Sequence, residues 1–195
     1  MVRRLFSLKG LTALVFVGLL GGCALSPQNV TIAPDVRLAA DTVKLDGPVT
    51  VTAFDERVTP WLGTRGGVYK ESNRIGIANN LQDAVKASVE MALVEQGMTP
   101  GSSTDAPQFQ VYVDTLEYKV PASNYVSRVD LKAAIRVTVR AGEQFYQGAY
   151  SATDSKRVLK APSDDDNTQM INEILAKAIG RAFADPGLMR FMARL

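Results

Sequence analysis

The residues able to do chemistry in this sequence are few, and one of them stands apart by its position. Cys23 is the only cysteine among 195 residues, and it follows a short apolar run directly. A lone thiol forms no intramolecular disulfide and no thiolate metal site. The chain has no histidine, which removes the commonest general base and the commonest metal ligand. Serine nucleophiles are therefore left with lysine assistance, and no Ser-x-x-Lys spacing occurs. Asp55 and Glu56 are adjacent on a predicted strand, where neighbouring side chains point to opposite faces and cannot flank one bond. Asp164-Asp165-Asp166-Asn167 lacks the calcium-loop pattern, since Gln169 and Leu175 stand where Gly and Glu are needed. Gly63-Thr64-Arg65-Gly66-Gly67 lacks the spacing and the Lys-Ser/Thr ending of a phosphate loop. The sequence thus predicts no catalytic residues, no metal site and no cofactor.

The surroundings of Cys23 explain it. Arg3, Arg4 and Lys9 charge the start, Leu11 to Leu20 form an apolar stretch, and Gly21-Gly22 precede the cysteine. That stretch is well short of the roughly 20 residues a spanning helix needs. A charged start, a short apolar middle and small terminal residues describe a cleaved secretory signal. Leu20-Gly21-Gly22-Cys23 resembles the lipobox of bacterial lipoproteins. The resemblance implies cleavage between Gly22 and Cys23, diacylglycerol on the sulfur and an acylated new amine. Each buried methylene is worth about 0.8 kcal/mol, and several chains on one residue make a persistent anchor. By resemblance to the sorting rule of such proteins, Ala24, where inner-membrane proteins often carry Asp, directs the chain to the outer membrane. Subtracting Arg3, Arg4 and Lys9 from 22 basic residues leaves 19 against 20 acidic ones. That balance argues against a nucleic-acid binder.

The mature chain reads as one domain, with residues 1–22 removed, 23–29 a lipidated tether and 30–195 a single α+β unit. Val30-Thr31-Ile32 and Val36-Arg37-Leu38 predict a short edge strand around Pro34. Val49, Val51 and Ala53 alternate with threonines, as in a half-buried strand. The glycine-rich stretch 58–78 predicts a loop or irregular hairpin. Asn79 or Asn80 then caps a helix whose stripe is Leu81, Val85, Val89, Ala92 and Leu93, ending at Gly97. Residues 100–107 predict a polar loop, and Phe109, Val111 and Val113 a strand. Val129 to Val139 alternate strictly, and Ala141-Gly142-Glu143 turns into a strand from Gln144 to about 159. Ser163 to Asn167 predict a loop, with Asp166 and Gln169 forming a capping box. Met170 to Phe183 supply a second stripe, and Asp185-Pro186 opens a short C-terminal helix. The expected architecture is an antiparallel or mixed sheet with two amphipathic helices on one face.

Two features offer binding surfaces. Arg128, Lys132, Arg136 and Arg140 share one face of a strand, with successive lysine and arginines about 13 Å apart. This is either a cationic stripe for an anionic glycan, lipid or envelope protein, or a wet face balanced by acids such as Asp114 and Asp154. Trp61 lies in the glycine-rich loop, either exposed as a partner or membrane-surface anchor or folded onto the core.

The lipobox, Ile32-Ala33-Pro34, Asp55-Glu56-Arg57, the Leu81–Gly97 helix, the hairpin at Gly142 with Tyr150 beyond it, and the Leu188–Leu195 segment occur in this order. The pattern resembles the YajG-type lipoproteins of Gram-negative bacteria. The resemblance implies a periplasm-facing outer-membrane lipoprotein, and it brings no catalytic residues. The expected function is a non-enzymatic, lipid-anchored binding module whose membrane contact runs through Cys23. The alternatives are an auxiliary lipoprotein of an envelope transport system, by fold analogy alone, and a peptidoglycan hydrolase. A hydrolase calls for two facing carboxylates with raised pKa values.

Overall fold

The computed structural model describes residues 26–39, 43–67, 70–121 and 128–195, so Gly22, Cys23 and the signal segment lie outside the described residues. The fold grows from its longest alternating strands. In β7 (Arg128–Ala141) Val129, Leu131, Ala133, Ile135, Val137 and Val139 are all buried, while Arg128, Lys132 and Arg140 are exposed. Gly142 sits at φ +58 and lets the chain reverse into β8 (Gln144–Arg157). On its other side β7 pairs antiparallel with β6 (Gln108–Lys119), with a register shift between Val113 and Thr115.

The far edge of β6 is shared. β2 (Pro48–Asp55) runs parallel to its first half, Thr50 beside Gln108 through Asp55 beside Val113. β3 (Gly63–Thr64) pairs with its end, Gly63 beside Tyr118. The short β5 (Thr99–Gly101) extends the β2 half, while β4 (Arg74–Ile77) and β1 (Gln28–Val30) extend the β3 half. The result is an eight-stranded mixed sheet.

Helices cover one face. α1 (Leu81–Gln96) packs on β2 and β5, capped by Asn80 and stopped by Gly97 at φ +110. α2 (Asp164–Phe183) lies across β6, β7, β8 and β1 and buries Met170, Ile171, Ile174, Leu175 and Ala178. Phe183 at its end stacks on Phe109 of β6, ring centroids 6.2 Å apart. Each such large apolar side chain is worth about 1.5–3 kcal/mol when fully buried. α3 (Pro186–Met192) closes the domain beneath β8 and is capped by Asp185. This is the α+β architecture the sequence predicts.

Three boundaries differ from expectation. Strand pairing begins at Gln28, inside the expected tether, because Gln28 pairs with Ile75 and its side chain accepts a hydrogen bond from Asn167. Residues 31–39 make no sheet ladder. Instead the Asn79 amide bonds both backbone groups of Ile32, and Asn172 bonds Thr31 and Ala33. The capping box of α2 is one turn earlier than Asp166–Gln169: Ser163 accepts from the Asp166 N–H, and the Asp166 carboxylate accepts from the Ser163 N–H. Three aspartates therefore occupy the first turn, where the helix dipole favours them.

Candidate functional site

The uncovered face of β2, β6, β7 and β8 collects most of the residues the sequence singles out. Alternation places Thr52 and Phe54, then Gln110 and Tyr112, then Arg136, Thr138 and Arg140, in adjacent columns. Phe54 stacks on Tyr112 with centroids 4.8 Å apart. The Arg136 guanidinium lies over the Tyr112 ring at 4.8 Å. The register shift after Val113 sets Asp114 against Arg136, which donates to it at 2.9 Å from both Nε and Nη2. A second acid, Glu56, reaches the same guanidinium from the end of β2.

The four stripe residues differ in partnership. Arg136 is neutralised by Asp114 and Glu56. Arg128 pairs with Asp130 at 3.1 Å. Arg140 lies over the Phe145 ring at 5.2 Å. Lys132 is exposed opposite Glu117 in the register. Among the described residues, Lys132 and Arg140 have no carboxylate within ion-pair distance. Asp154, expected as a balancing acid, is on the opposite face. It sits beside Leu131, a core residue, and pairs with Lys177 of α2 at 2.8 Å. Trp61 is 37 % exposed, and the Arg74 guanidinium covers its ring at 4.3 Å.

On the helix side, β8 presents polar residues that sequence alternation alone leaves unassigned. Tyr146 and Tyr150 both donate to the Asp185 carboxylate, and Lys156 pairs with Glu173 at 2.8 Å. An open cleft of about 1140 Å³ runs between α2 and the segment from Ala33 to Ala39, with Val43 beside it, and is lined by Asn172, Ala176 and Gly180 on the helix side. The adjoining edge carries Lys177 and Arg181, the latter donating to the Ser151 carbonyl.

The charge chemistry of these groups is uniform. Lys177 holds the Asp154 carboxyl below the usual range, Lys156 does the same for Glu173, the Ser163 N–H for Asp166, and the Tyr146 hydroxyl for Asp185. Burial pushes Asp55 up, but the hydrogen bonds and charge of Arg57 bring it below its ordinary value. A general acid at neutral pH needs the opposite displacement. Among the described residues no three His, Cys, Asp or Glu side chains come together to hold a metal ion. The arrangement is suited to recognition by fixed charges and aromatic faces.

Comparison with known proteins adds a family. Residues 34–193 match the model of a family described as uncharacterized lipoprotein. Among solved structures, protein XCC0632 from Xanthomonas campestris aligns with TM-score 0.54 and 12 % identity, covering 79 % of this chain and 92 % of that one. That likeness is one of fold. A minor lipoprotein from Acinetobacter baumannii aligns with TM-score 0.44 and 11 % identity over 78 % and 93 % of the two chains. Rare lipoprotein B from Shewanella oneidensis aligns with TM-score 0.43 and 8 % identity over 70 % and 90 %. No curated protein matches the chain.

Proposed function

Because the chain belongs to this family of uncharacterized lipoproteins, we propose that it is a non-enzymatic outer-membrane lipoprotein, held by acyl chains on Cys23, that binds another envelope component through its open sheet face. One observation carries the reading: the helices all pack on one side of the sheet, and the other side keeps an ordered layer of side chains in water. Phe54, Tyr112 and Arg136 are locked together there. A preordered aromatic and charged surface loses little conformational freedom on binding. Lys132 and Arg140 supply cations beside it for an acidic patch on the partner. The finer assignment to the YajG-type lipoproteins rests on the ordered motifs from the lipobox to Leu195. The outer-membrane destination rests on Ala24.

Photo-cross-linking in living cells tests the reading. A cross-linking residue at Thr138 or Ala149, on the open face, gives a discrete adduct, and one at Met91, exposed on α1, gives none. Charge reversal by Lys132→Glu with Arg140→Glu removes the open-face adduct. Adducts confined to Met91, or open-face adducts indifferent to the reversal, contradict the proposal.

A further inference from the structure

The place where the chain enters the fold decides which end of the domain meets a bilayer. Arg65 donates to the Ser26 carbonyl at 3.0 Å and to the Pro162 carbonyl at 3.2 Å, fixing the entry beside the start of α2. Ser26 is three residues beyond Cys23, so even a fully extended link spans no more than about 11 Å. β1 runs parallel to β4, and β4 runs opposite to β3 and β6. The entry therefore lies at the end of the sheet where β6 finishes at Lys119, β7 begins at Arg128 and β8 finishes at Arg157. The Gly142 hairpin is at the opposite end, about 40 Å away along β7.

At the entry end, the connection from β8 to α2 reads Arg157-Val158-Leu159-Lys160. Val158 packs against the core, and the next side chain is thrown outward. Leu159 has a relative exposure of 107 %, the highest of the large apolar side chains among the described residues. Arg157 and Lys160 on either side of it are exposed too. An isolated leucine in water between two cations fits the phospholipid interface: the leucine enters the acyl boundary, and the cations reach phosphate along their own apolar stems. Asp164 and Asp165 follow closely, so this end has mixed charge. The leucine, not a basic field, selects a lipid surface.

We infer that the loop from Arg157 to Lys160 is a second membrane contact, inserting Leu159 into the leaflet that holds the acyl chains of Cys23. The inference rests on the lipid-anchor reading and adds an orientation to it. The sheet stands on the bilayer with the Gly142 hairpin outermost, and the open face stays accessible from the side.

The test uses the acylated full-length protein purified from membranes, in which Cys23 has no free thiol. A single cysteine is introduced by Leu159→Cys or Glu143→Cys, both at exposed positions, and labelled with an environment-sensitive fluorophore. The protein is reconstituted into phosphatidylethanolamine–phosphatidylglycerol vesicles, with or without lipids brominated in the acyl chain. The label at 159 shifts to the blue and loses emission to brominated lipid, and the label at 143 does neither. A label at 159 that behaves like the one at 143 overturns the inference. Mass analysis of Cys23 in the same sample separates the two readings. Acylated Cys23 with a water-exposed 159 label refutes this contact alone, and unacylated Cys23 refutes the anchor and this contact with it.

Discussion

The Tyr150 hydroxyl donates to the Asp185 carboxylate at 2.7 Å, joining the second strand of the long hairpin to the cap of the C-terminal helix. Tyr146 donates to the same oxygen, and the Gly187 N–H donates to the other one at 2.7 Å. One carboxylate thus ties β8 to α3.

This cluster gives stability a definite pH dependence. The Tyr146 hydroxyl, then Tyr150 and the N–H groups of Gly187 and Leu188, hold Asp185 below its ordinary value of 3.8. A carboxyl whose folded value is depressed contributes fully above its unfolded pKa, and loses that contribution as pH falls through the folded value. Asp154, Asp166 and Glu173 are displaced in the same direction. Urea midpoints should hold steady from neutral pH to about pH 5 and fall below about pH 4. Asp185→Asn keeps a capping oxygen for the Gly187 N–H but replaces the charged acceptor of Tyr146 and Tyr150. It should remove part of that acid dependence and lower stability at pH 7 by about 1 kcal/mol.

Arg65 is the clamp on the entry of the chain. Arg65→Ala leaves the carbonyls of Ser26 and Pro162 without this donor, at a cost of about 1–3 kcal/mol for two hydrogen bonds from a charged group. Hydrogen exchange should quicken first at Asn29 and Val30 in β1, well before the centre of β7 responds. Uniform acceleration across the sheet would mean that the clamp has no local role.

Tyr118 offers a gain instead. Tyr118 is 1 % exposed at the end of β6, and its buried hydroxyl has no hydrogen-bond partner among the described residues. Burial accordingly pushes the phenol far above its ordinary range. Tyr118→Phe removes an unsatisfied polar group at little loss of volume, and should raise unfolding stability by about 1 kcal/mol. A destabilised Phe variant would show that the hydroxyl is satisfied in solution.

Gly63 predicts the reverse. A Cβ there would stand 1.8 Å from the Tyr118 carbonyl oxygen, a backbone atom that cannot swing away. Gly63→Ala should push β3 from β6 and cost about 1–3 kcal/mol or more. The change should also free the loop carrying Trp61, visible as a red shift and increased quenching of tryptophan emission.

How far the sequence foretells all this depends on whether a feature is local. A cap at Asn79 or Asn80, the Gly97 stop and the strict alternation of Val129 to Val139 are written in consecutive residues, and the structure has them, with Asn80 as the cap. The short strands β1, β3, β4 and β5 are two to four residues long. They exist because partners distant in sequence supply their hydrogen bonds, so no local period marks them. The clamping of Ile32 by Asn79 and of Thr31 and Ala33 by Asn172 is invisible for the same reason. The acid partner of Arg136 was half legible. Asp114 is named by the pattern, but the register shift after Val113 that aims it is tertiary. Asp154 went to the helix side because the hairpin register pairs it with Leu131, on the buried face.

Attachment of the domain to a membrane turns on what happens at one sulfur. Intact-mass and peptide mass analysis of the protein from its native membrane should find a mature chain that starts at Cys23 with diacylglycerol on the sulfur and a fatty acid on the amine. Cys23→Ala should abolish both processing and membrane retention. A mature chain with a free thiol at Cys23, or one beginning at another residue, would rule out the lipid anchor and the orientation built on it.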